Sequence, residues 1–224
     1  MGQHTCGCGC SGERQDSMQS HDARNSPTET ADADRWLAES PVDATLPDDL
    51  QRVLGRFLGV APVKTLGAFA TALGQQAGGS LGVEDLCHAD EPTGHRGVTD
   101  EATYHFRCFY DAVVLAALVD APVDIRTETP DGAVVEARAA EGEITATPAT
   151  AVVSFGIARD VAPPGEDGPR LDAAYRNICP FVRAFPDREQ YAAWATTVPA
   201  ATVGFRLTDA AAFADRLAAG QSGG

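Results

Sequence analysis

In the stretch YHFRCFYDAVVLAALV, residues 104–119, a thiol and a carboxylate stand three residues apart, Cys108 and Asp111. They lead into a run, 112–119, with no polar side chain. On a helix, residues i and i+3 are neighbours with Cβ atoms about 5–6 Å apart, so the two groups project together. Apolar surroundings disfavour the charged form of a carboxylic acid and raise its pKa. Such an acid keeps a proton near neutral pH and can donate it. A thiolate beside it is a nucleophile and a soft-metal ligand. The pair therefore suits gripping a soft electrophile and delivering a proton next to it. Each group alone has commoner uses: a buried cysteine as a small hydrophobe, an aspartate at a helix start as a cap or dipole partner. A second thiol, Cys179 in RNICPF, moves the reading toward chemistry.

Other thiols are present. His4, Cys6, Cys8 and Cys10 form the head of the chain, HTCGCGC. Glycines there let the backbone wrap tightly, so three thiolates could converge on one soft ion. The spacing differs from the C-x2-C patterns of zinc sites. Cys87-His88 with His95 is a further metal fragment, but it lacks a fourth ligand at sensible spacing and reads as a surface loop. No C-x-x-C motif supports a thiol redox enzyme.

These groups need a fold to position them. The chain of 224 residues suffices for one sizeable domain, or one domain with a small appendage. Residues 1–44 are polar and acidic, with Trp36 and Leu37 almost the only large apolar side chains, and read as a disordered tail. Residues 45–100 read as a small helical, winged-helix-like N-terminal domain. In LPDDLQRVLGRFLG the apolar positions 46, 50, 53, 54, 57 and 58 recur at helical spacing. Pro47, Asp48 and Asp49 suit the start and Gly59 the end. A second helix is expected over 65–73, then a short segment capped by Ser80 and a loop, HADEPTGHRG.

Residues 101–224 read as the catalytic domain. A buried helix over 108–119 should stop before Pro122. VDIRTE and VVEARA read as strands joined by the turn residues of TPDGA, and AVVSFGI as a third, more buried strand. A loop over 160–170 precedes the Cys179 segment. Pro186 and Asp187 begin a helix, TVGFRL is a last strand, and Thr208 is expected to cap a final helix ended by Gly220. Antiparallel strands with helices segregated around them make an α+β fold.

Composition narrows the partners. The net charge is −15, with 17 Lys+Arg against 32 Asp+Glu, which leaves little material for a nucleic-acid-binding face. The only lysine is Lys64, an acid-rich balance of the kind salt-adapted proteins use. No stretch approaches the about 20 apolar residues of a membrane helix. The N-terminus lacks the apolar middle of a signal peptide, so the cytoplasm, with reduced thiols, is the expected compartment.

From about residue 103 to 194 the sequence resembles the organomercurial lyase (alkylmercury lyase) family. The features that carry the resemblance run in order. An aromatic segment leads into Cys-x-x-Asp before an apolar helix (YHFRCFYDAVVLAAL). A hairpin with a glycine turn follows (VDIRTETPDGAVVEARA), then a Val-Ser strand (AVVSFGIA). Last is a cysteine ahead of an aromatic stretch, a short helix and a tryptophan (NICPFVRAFPDREQYAAWA). The further cysteine that members often carry in the hairpin is absent near Glu128 and Thr129, and Pro180 stands where some have another.

The resemblance implies Cys108, Asp111 and Cys179 as catalytic residues, with Cys108 and Cys179 holding the mercury. It implies protonolysis of a carbon–mercury bond to a hydrocarbon and Hg(II), with no cofactor and with external thiols taking the product away. Phe106, Phe109 and Phe181 are candidates to line the pocket, or plain core. Cys6, Cys8 and Cys10 become a candidate arm that captures mercury or passes it to a thiol-containing reductase or to small thiols. The competing function is a soft-metal carrier or sensor, which needs the thiols but not Asp111.

Overall fold

The structure is a computed structural model that describes residues 35–77, 81–119, 121–166 and 168–219. The HTCGCGC head, Ser80 and Gly220 lie outside these residues. Helix α1, Asp48–Leu58, buries Leu50, Val53, Leu54, Phe57 and Leu58 along one face. Asp48 and Asp49 sit at its positive end, and Gly59, at φ 70°, closes it by donating to the Arg56 and Gly55 carbonyls. Helix α2, Leu66–Ala77, outruns the expected 65–73. Thr65 Oγ1 accepts the Ala68 N–H at 3.0 Å and so starts it.

Eight strands follow: β1 His95–Val98, β2 Thr103–Phe106, β3 Val123–Glu128, β4 Val134–Ala140, β5 Glu143–Thr147, β6 Val152–Ala158, β7 Ala184–Phe185 and β8 Ala200–Arg206. They form two antiparallel sheets, ordered β2-β1-β3-β4-β5 and β7-β6-β8. Helix α3, Phe109–Leu118, connects β2 to β3. Helices α4 (Leu171–Asn177) and α5 (Arg188–Ala195) flank β7, and α6 (Ala210–Ala218) ends the described chain. One hydrophobic cluster joins Phe57 of α1, Phe69 of α2, Val113 of α3, Ile125 and Val153 of the two sheets and Phe213 of α6. The α+β architecture with an antiparallel core and flanking helices is as the sequence suggests.

Four local expectations change. The loop HADEPTGHRG ends in β1, which pairs with β2 on one side and β3 on the other. Its short HRGV sequence is held as strand by neighbours on both edges of the five-stranded sheet. Strand β5 was not expected; among its larger side chains only Ile144 is well buried, so its alternation is short. Residues 35–44, expected in the disordered tail, are packed: Leu37 is buried and donates its N–H to the Gly204 carbonyl of β8. Thr208 does not cap α6. Its hydroxyl turns to Asp209 at 3.4 Å, and a 3-10 turn, Leu207–Asp209, leads into the helix.

Candidate functional site: three thiols around a shielded carboxyl

Cys108 is the residue that enters α3, in extended conformation, and Asp111 lies in the first turn. Helical spacing thus sets both on one end of an apolar helix whose next residues, Ala112 to Leu115, are all buried. Tyr110, between them, fixes the helix by donating its hydroxyl to the Ala210 carbonyl at 2.6 Å.

Cys179 arrives from the other sheet. It opens a 3-10 turn, Cys179–Phe181, directly after α4. Ser154 of β6, fully buried, clamps that turn: its hydroxyl donates to the Phe181 carbonyl at 3.0 Å and accepts the Arg183 N–H at 3.0 Å. The Ser154 N–H donates to the Arg183 carbonyl at 2.8 Å. Gly156, two residues on, leaves room for the turn, because a Cβ there would sit 3.1 Å from that of Phe181 and 2.7 Å from a Thr202 methyl. The Arg183 guanidinium reaches across to His95 Nε2 at 3.0 Å, and His95 Nδ1 meets Thr127 Oγ1 at 2.6 Å. A buried histidine accepting from a guanidinium is neutral. Burial first, then the charge of Arg183, holds its pKa down to about 4. The two sheets are thereby tied together beside the Cys179 turn.

A third thiol comes from the segment read as a surface loop. Residues 87–89 extend the edge of β2: the Arg107 N–H donates to the Cys87 carbonyl at 2.9 Å, and the Ala89 N–H to the His105 carbonyl at 2.8 Å. Cys87 is therefore buried, 4% exposed, next to the strand that delivers Cys108. Its sulfur, the Cys179 sulfur and an Asp111 carboxylate oxygen all lie within 4.8 Å of one another. Cys108 is outside that mutual set; its thiol acts on Cys179 and helps to push that thiol's pKa up.

His88 and His95 do not join Cys87 around a common point. His88 is exposed and bonded to the Val83 carbonyl at 2.7 Å, and His95 is engaged with Arg183 and Thr127. The hint to Cys87 in the sequence was the apolar pair Leu86-Cys87 inside a polar loop. What hid it is that its position depends on pairing with residues 105–107.

Electrostatics follow from the burial. Burial drives the Asp111 carboxyl up to about 7, against a backbone hydrogen bond from Cys87 that pulls it down. Its Oδ2 atom is shielded from solvent and has no hydrogen-bond partner. The Cys179 thiol is pushed up by its hydrogen bonds with Cys108 and Cys87 and by burial. The hydrogen bond from Cys179 draws Cys87 down, with the charge of Arg107 adding to it. Phe106 and Phe109 are fully buried core, whereas Phe181 is half-buried beside Cys179.

Sulfur ligands around an acid that titrates near neutral pH define a centre suited to a soft metal and a proton transfer. The sequence matches the family described as MerB: Alkylmercury lyase over residues 89–219, and the chain belongs to that family. A solved structure described as the mercury-bound form of MerB2 is similar over 57% of this chain, at 19% identity and a TM-score of 0.43. The similarity covers 58% of that protein, so this chain spans less than two thirds of its length. No curated protein matches.

Proposed function

We propose that the protein is an organomercurial lyase that cleaves a carbon–mercury bond by protonolysis. The observation that carries the reading is the unpartnered Asp111 Oδ2, shielded from water in a group whose sulfur and oxygen atoms lie within 4.8 Å. A protein that only bound metal would be served by the thiols alone; leaving a buried carboxyl oxygen unpaired costs about 1–3 kcal/mol.

The reaction proceeds without any change in oxidation state. A thiol captures the mercury of R–Hg⁺ and releases its proton to solvent. A second thiol forms another S–Hg bond and passes its proton to Asp111. The two sulfur donors weaken the C–Hg bond and make the carbon basic. Asp111 acts as general acid. The C–Hg bonding pair stays on carbon and takes the carboxyl proton, so R–Hg⁺ and two thiols become R–H, an S–Hg–S centre and one proton. Cys108 and Cys179 are the thiols that the family pattern assigns. Asp111, at a pKa of about 7, can both hold the proton and recover it. External thiols then remove Hg(II) by exchange; a thiol-containing mercury reductase is a fitting acceptor. No helix among the described residues is long and apolar enough to cross a membrane.

The test is benzene release from phenylmercury with free thiol present. The lyase reading expects one benzene per mercury processed. Protein that binds phenylmercury stoichiometrically and releases none is a carrier.

A further inference from the structure

Cys87 is not needed by a scheme of two thiols and one acid, yet its sulfur lies within 4.8 Å of both the Cys179 sulfur and the Asp111 carboxylate. It is buried and fixed by main-chain pairing with the segment that delivers Cys108. Cys108 and Cys87 both act on the Cys179 thiol. A further sulfur is therefore already within reach of an ion seated beside Cys179.

We propose that Cys87 is a third sulfur ligand, so that the Hg(II) left by cleavage is held by Cys87, Cys108 and Cys179 as a three-coordinate thiolate. The proposal rests on the lyase reading for the origin of the ion, though free Hg(II) would enter the same sulfurs. R–Hg⁺ and three thiols give R–H, a centre of net charge −1 and two protons released, with mercury remaining divalent. Thiolates are the ligands a soft ion prefers. A third bond keeps the product in place until an incoming thiol displaces the sulfurs stepwise, which ties release to an acceptor.

The experiment uses the full chain with Cys6, Cys8 and Cys10 changed to serine, which leaves Cys87, Cys108 and Cys179 as its cysteines. This parent is loaded with one equivalent of Hg(II), and X-ray absorption at the mercury edge counts the sulfurs. Three sulfurs are expected, with Hg–S bonds longer than in a two-coordinate thiolate. Cys87→Ser in the same background should fall to two sulfurs with shorter bonds. Two sulfurs in the parent would overturn the proposal, and that reading needs no variant at position 87 to fold. Benzene release from phenylmercury is measured on the same parent. Release with two sulfurs overturns the third ligand and leaves the lyase; three sulfurs without release leaves the Hg(II) site and overturns the lyase.

Discussion

Ser154 holds Arg183 through two opposed hydrogen bonds: its hydroxyl accepts the Arg183 N–H at 3.0 Å, and its own N–H donates to the Arg183 carbonyl at 2.8 Å. The same hydroxyl donates to Phe181, so one buried serine sets the exit of the turn that begins at Cys179. Ser154→Ala leaves the Arg183 N–H and the Phe181 carbonyl without this partner. The expected loss of stability is about 1–3 kcal/mol, read from urea denaturation. Displacement of Cys179 should also slow hydrocarbon release, up to roughly 10²-fold for a shift near 1 Å. Wild-type kinetics would mean that the turn is positioned by other contacts.

Asp111 should leave a mark on stability as well. Its carboxyl is raised from 3.8 to about 7, so the folded state holds this proton more tightly than the unfolded chain does. The stabilisation is complete below about pH 3.8 and is lost as pH rises through about 7. Asp111→Asn has no such loss. Its stability relative to wild type should rise across that window by on the order of 4 kcal/mol, measured by denaturation at a series of pH values. Parallel pH curves for the two proteins would contradict the burial of the acid.

Much of this arrangement is legible in the sequence alone, because it rests on local periodicity. Cys108 and Asp111 follow from i, i+3 spacing at the head of an apolar helix, and the helices with their caps at Gly59 and Asp187 follow from side-chain types. Cys87 was not legible. It enters the site through cross-strand pairing with residues 105–107, and pairing between segments leaves no period in either one. His95 was hidden for the same reason: a strand of four residues, held by neighbours on both edges, puts it against Arg183 from the far sheet. The packing of Leu37 depends likewise on β8, distant in sequence.

His95 predicts the opposite pH response. Burial and Arg183 hold it down to about 4 from 6.5, so the unfolded chain binds the proton more tightly. Its contribution is present above about pH 6.5 and is lost as pH falls through about 4. Wild type should therefore lose stability relative to His95→Gln over that interval, by on the order of 3 kcal/mol. A constant difference between the two would show that His95 is not the buried neutral link between the sheets.

Tyr110→Phe separates structure from chemistry. Its hydroxyl donates to the Ala210 carbonyl at 2.6 Å inside the core. Loss of that bond should cost about 1–3 kcal/mol in denaturation. Benzene release by the folded variant should match wild type; a large kinetic defect would place the hydroxyl in the reaction.

The most direct test of the central claim is single-turnover benzene release from phenylmercury by Asp111→Asn beside wild type, with bound mercury counted in both. The amide keeps the shape of the side chain but has no carboxyl proton to give. Wild type should release benzene and retain Hg(II). The variant should bind phenylmercury at the same stoichiometry while release slows by roughly 10²–10⁴-fold, the range ascribed to a positioned acid. Release by the variant at the wild-type rate would contradict Asp111 as the proton donor.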